Sequence, residues 1–127
     1  MNENSKNIIV EKMNGGMLAE VKNLISRHLG IEVDLEVEVT SNWSGWSVRL
    51  IEVGDASTKV VTSTPLLAQL FKQSKLEIQV GYKEECTDAW FRVMIYYDHN
   101  FGHGSNGHDL MTFCMDINTC DVTDIKK

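Results

Sequence analysis

The chain has 127 residues, enough for one domain that buries a core without help from disulfides or metal. A hydrophobic fraction of 43% excludes a disordered chain, and no run approaches the roughly 20 apolar residues that a membrane helix needs. Eighteen acidic residues against twelve basic ones give a net charge of −6, which argues against nucleic acid or an anionic membrane as the main partner, because both reward clustered Lys and Arg. Cys86, Cys114 and Cys120 form no CxxC pair, so free thiols in a reducing cytoplasm are expected. The polar start MNENSKN carries no signal-peptide pattern, and a soluble cytoplasmic protein is expected.

In chain order, residues 1–7 read as a frayed terminus, and IIVEKM (8–13) fits either an edge strand or a first helical turn. A helix follows. Asn14 offers an N-cap, and Met17, Val21, Leu24, Ile25 and Leu29 recur at three and four residues on one face. Arg27 and His28 suit the negative end of its dipole, and Gly30 is the left-handed stop.

IEVDLEVEV (31–39) alternates strictly, with Ile31, Val33, Leu35, Val37 and Val39 on one side and Glu32, Asp34, Glu36 and Glu38 on the other. That pattern predicts a strand with one buried face. TSNWSGW turns the chain into a second strand at 47–53, and GDAS turns it into a third at 58–63. Thr64 and Pro65 open a second helix, which ends near Ser74 and carries Leu66, Leu67, Leu70 and Phe71. Strands are expected at 76–82, 89–97 and 110–117, followed by a polar tail whose residues 121–127 read as frayed.

The order α-β-β-β-α-β-β-β predicts an α+β domain: a mainly antiparallel sheet of about six strands with two helices on one face. The two halves echo faintly, WSVRLI against WFRVMI. An old duplication would leave such an echo, but the identity is thin, and chance similarity between amphipathic strands is the favoured reading.

Three constellations carry candidate chemistry. The connector 98–108 holds His99, His103 and His108, with Asp98 and Asp109 as further ligands for zinc or another transition metal. Ordering its eleven residues costs on the order of 1–2 kcal/mol each, and a structural zinc supplies on the order of 10–16 kcal/mol. The thermodynamics permit a metal, yet the spacing H-x3-H-x4-H fits no zinc signature and HExxH is absent. Histidines acting as general acid and base would also need cations, and nothing in the sequence places the strand-borne arginines, Arg49 and Arg92, near the loop. A polar, glycine-rich hairpin tip explains the segment without any ligand.

The second constellation is the carboxylate row Glu32, Asp34, Glu36 and Glu38, spaced like charges on nucleic acid or simply solvated, with Arg49 as the natural pairing partner. The third is Trp43 and Trp46 in the first hairpin turn, a binding hot spot if exposed. Trp90, Met94, Met111 and Met115 are expected in the core.

No nucleophile motif or phosphate loop occurs. The sequence is therefore read as a small acidic, non-enzymatic binding or regulatory domain that contacts another protein and needs no cofactor. Its candidate surfaces are the acidic strand, the Trp43/Trp46 turn and the histidine loop. A narrower version is an inhibitor that presents the acidic strand to a nucleic-acid-binding protein, in the manner of phage or mobile-element accessory proteins. The alternative is a metal-binding, hydrolytic protein built on the histidine hairpin.

Overall fold

A computed structural model describes residues 1–62, 64–97 and 107–127 of the chain. Asn2 caps the first helix: its side-chain oxygen accepts from the Ser5 amide at 2.8 Å. Helix α1 (Glu3–Lys12) runs into a wider π turn over Met13–Met17, where Gly16 takes φ 129°, and continues as α2 (Leu18–Leu29). Gly30, at φ 67°, ends it by returning its amide to the Ser26 carbonyl. Ile9, Met13, Met17, Val21, Leu24 and Ile25 form the buried stripe of this long, kinked helix. They repeat every three to four residues, which is why one face meets the sheet along the whole length.

After Gly30 come β1 (Ile31–Glu32), β2 (Leu35–Asn42) and β3 (Gly45–Glu52). A connector with one 3-10 turn (Ala56–Thr58) leads to β4 (Val60–Val61) and α3 (Pro65–Lys72). The chain then forms β5 (Ser74–Gly81), β6 (Asp88–Tyr97), β7 (Gly107–Asp116) and β8 (Val122–Lys126). Six strands make one antiparallel sheet in the order β2-β3-β5-β6-β7-β8, while β1 pairs with β4 apart from it. The fold is α+β, as the sequence pattern predicts.

The inner sheet face meets the helices. Cross-strand register sets Leu50 opposite Ile78 and Phe91 opposite Phe113, and those two rings stack at 4.8 Å. The short helix α3 adds mainly Phe71 to this core, and Leu66 stays 78% exposed. Among the described residues, no helix is long and apolar enough to cross a membrane.

Five expectations need correction. The helix begins at Glu3 rather than after Asn14, because Gly15 and Gly16 sit inside a kinked helix instead of opening one. Residues 1–7 are tied down: Met1 exchanges two main-chain bonds with Trp46, at 2.7 and 2.9 Å. The tail is also ordered, since β8 pairs with β7. Finally, 31–39 is two strands. The chain changes partner at Val33–Asp34, from β4 to β3, and the predicted third strand at 58–63 shrinks to Val60–Val61.

Candidate functional site

The β2–β3 hairpin positions the most exposed large apolar side chain among the described residues. Its ladder is unbroken from Leu35 opposite Glu52 to Asn42 opposite Gly45, leaving Trp43 and Ser44 as the two-residue turn. The Asn42 side-chain oxygen accepts from the Ser44 amide at 2.8 Å and from its hydroxyl at 2.6 Å. Gly45 takes φ 132°, and a Cβ there would lie 2.8 Å from the Met1 carbonyl oxygen. The turn is thus fixed by side-chain bonds and by the N-terminal residues. Trp43 projects from it 99% exposed.

Trp46 behaves differently. It is half-buried on the inner face, and the Lys6 ammonium lies 4.2 Å from its ring centroid. The two tryptophans of the turn therefore do not form one patch.

The four carboxylates are likewise dispersed. Glu32 lies on β1, and Asp34 sits at the break, 3.6 Å from the Lys22 ammonium. Glu36 and Glu38 share the outer face of β2. Glu38 is drawn into its own sheet by Arg49, which also binds Glu77 at 2.6 Å, whereas Glu36 remains exposed. The pairing of Arg49 with the acidic strand holds as expected.

Of the proposed metal ligands, Asp98, His99 and His103 lie outside the described residues. His108 is exposed on β7, opposite Ile95. Asp109 is taken by Arg92 in a two-pronged ion pair, both bonds at 2.9 Å. Hydrogen bonding to Asp109, together with its charge, raises the Arg92 pKa above the ordinary value. Among the described residues, no three His, Cys, Asp or Glu side chains are grouped to hold a metal ion.

Sequence reasoning missed two features. Trp90 is 50% exposed, not core, and its indole lies flat over Gly81 on the outer face. Arg92, two residues on, marks that face as outward, so the alternation already carried the signal. The other is the buried pair of Lys59 and Glu52, which no local pattern announces.

No protein-family model, curated protein or solved structure significantly matches the chain. The geometry alone must then say what the surface does. Among the described residues, two of the open, charged clefts adjoin α2. One, of about 480 Å³, lies between α2 and the connector after β3 and is lined by Lys22, Asp34, Asp55 and Lys59. The other, of about 630 Å³, lies between the π turn and the β7–β8 turn and includes Cys120. Burial, and then Glu20, push the Cys120 thiol pKa up, the reverse of an activated nucleophile. Burial does the same to Cys114, and all three cysteines are free thiols.

Proposed function

We propose that the protein is a non-enzymatic binding or regulatory domain that acts by protein–protein contact through the β2–β3 hairpin. The observation that carries this reading is Trp43, 99% exposed on a turn whose shape is already fixed. An indole offers a large apolar area with a hydrogen-bond donor, which is why tryptophan is enriched among binding hot spots. A preformed turn loses little conformational entropy on docking, so more of the contact energy appears as affinity. The net charge of −6 favours a basic partner surface by long-range attraction. Three free thiols are in keeping with a reducing cytoplasm.

The narrower form, an inhibitor that imitates nucleic acid with four aligned carboxylates, finds no support in the spacing. Glu32 and Glu36 belong to different strands, and Glu38 is drawn into an ion pair with Arg49.

The test compares tagged wild type and Trp43→Ala, each purified from the cells that produce the protein. A protein recovered with the first should be lost with the second. With both components purified, calorimetry should show affinity falling roughly thirtyfold or more, the size of a hot-spot deletion. If Trp43→Ala keeps the same partner at the same affinity, the reading fails.

A further inference from the structure

Among the described residues, the six-stranded sheet ends in two unpaired edges, and they are built differently. At one edge, β8 (Val122–Lys126) is short, its ladder shifts register between Thr112 and Cys114, Asp124 takes φ 55°, and Lys126 and Lys127 close it. Irregularity, shortness and lysines are the usual means of keeping a strand edge from pairing with another chain. The other edge, β2 (Leu35–Asn42), has none of them. It is eight residues long, continuous in register with β3, and free of proline, lysine and bulge. Among the described residues, no main-chain group pairs with its far side.

Acidic side chains could guard such an edge, yet only one of the two here is placed to do so. Glu38 turns back onto Arg49, and Glu36 alone stays exposed on the outer face. On the inner face the core covers Leu35, but Val39 is 36% exposed. The edge thus offers unpaired main chain, an apolar inner side and a single negative charge on the outer side.

We infer that β2 is a docking edge that takes an extended segment of a basic partner protein as a seventh strand, with Lys or Arg set against Glu36 and apolar residues over Val39. Main-chain bonds supply the affinity of such strand addition, and alternate side chains supply its specificity. The inference rests on the protein–protein reading above and gives that partner its chemistry. A second copy of this chain fits less well. Antiparallel pairing of β2 with β2, with the sheet faces aligned, sets Glu38 opposite Glu38 or Glu36 opposite Glu38 in the registers centred on the acidic half, and like charges directly opposite destabilise.

The test uses the full chain and defined probes: a capped octapeptide alternating lysine and valine, its glutamate–valine counterpart, and a lysine–valine version interrupted by prolines. Residue-resolved hydrogen exchange is followed with each. The first peptide should slow exchange at amides of Leu35–Asn42 by about tenfold or more, and the other two should not. Glu36→Lys should transfer the effect to the glutamate peptide. No protection on β2, equal protection by the glutamate or proline peptide, an unchanged preference in Glu36→Lys, or a dimer held through β2 would each overturn the inference. The wild-type arms need no variant to fold. Peptide protection of β2 is read on the wild-type chain and Glu36→Lys alone, and partner capture by Trp43→Ala is read without the peptides, so failure of the edge and failure of the tryptophan tip are told apart.

Discussion

The Lys59 ammonium lies 2.5 Å from a Glu52 carboxylate oxygen, with only 2% and 1% of the two side chains exposed. Lys59 also donates to the Ser74 carbonyl at 2.8 Å, and the same Glu52 oxygen accepts from the Leu76 amide at 3.3 Å. The pair therefore ties the connector after β3 to the start of β5. The second Glu52 oxygen is buried without a hydrogen-bond partner among the described residues. Desolvating two charges offsets much of their attraction, so the two kinds of substitution should differ. Lys59→Met alone strands a buried carboxylate and should cost about 3–5 kcal/mol in urea unfolding. Pairing it with Glu52→Leu should restore stability to wild type or above. A single variant as stable as wild type would show that the pair does not hold the connector.

Gly15 and Gly16 are neighbours with opposite expectations. Both have open space at the Cβ position, but Gly16 alone takes φ 129°. Gly16→Ala should cost about 1–3 kcal/mol, because a side chain is strained there. Gly15→Ala should stabilise by up to about 1 kcal/mol, since alanine is the better helix former. Thermal melts of the two variants decide it, and equal effects would mean that the kink does not depend on Gly16.

Asp116 shapes the β7–β8 turn by accepting from the Asn118 amide at 2.7 Å and the Thr119 amide at 2.9 Å. The bonds to Thr119 and then Asn118 lower its pKa below the ordinary 3.8. A lowered folded-state pKa means that the carboxylate supports the turn fully above about pH 4 and loses that support as pH falls through the lowered value. Exchange at the Asn118 and Thr119 amides, corrected for intrinsic rates, should rise on acidification. In Asp116→Ala it should be fast at every pH. A flat wild-type profile would refute the link.

What the sequence disclosed follows from what leaves a periodic mark. The alternation around Leu35, the stop at Gly30 and the Pro65 start each reflect a local rule, and each held. The split of 31–39 left no mark, because β1 and β2 both bury residues of one parity, Ile31 and Leu35, and a period-two pattern does not encode a change of partner. The edge strand β8 is mostly exposed and so carries no apolar alternation to read. Gly15 and Gly16 read as a boundary although the four-residue spacing of Ile9, Met13 and Met17 ran across it. The echo between WSVRLI and WFRVMI does not survive in space. Trp46 shares parity with buried Val48, and Trp90 with outward Arg92, so the two tryptophans lie on opposite faces of the sheet. At the candidate site, the turn was legible but the isolation of Trp43 was not, since it depends on how Met1 and Lys6 engage Trp46.

The placement of Trp90 yields the last prediction. A Cβ on Gly81 would fall 2.0 Å from the indole, so the ring must leave if alanine is introduced. Half-exposed, it can swing into solvent, and the cost should be the lost cross-strand contact, about 0.2–1 kcal/mol, rather than the larger penalty of overpacking a closed core. With 5-fluorotryptophan incorporated, the chain gives three fluorine resonances, one for each of Trp43, Trp46 and Trp90. Gly81→Ala should move the Trp90 signal toward that of free solvent-exposed fluorotryptophan and leave the other two in place. An unmoved Trp90 signal would mean that the indole does not cover Gly81. A large loss of stability would mean that it is held there by more than the glycine it shields.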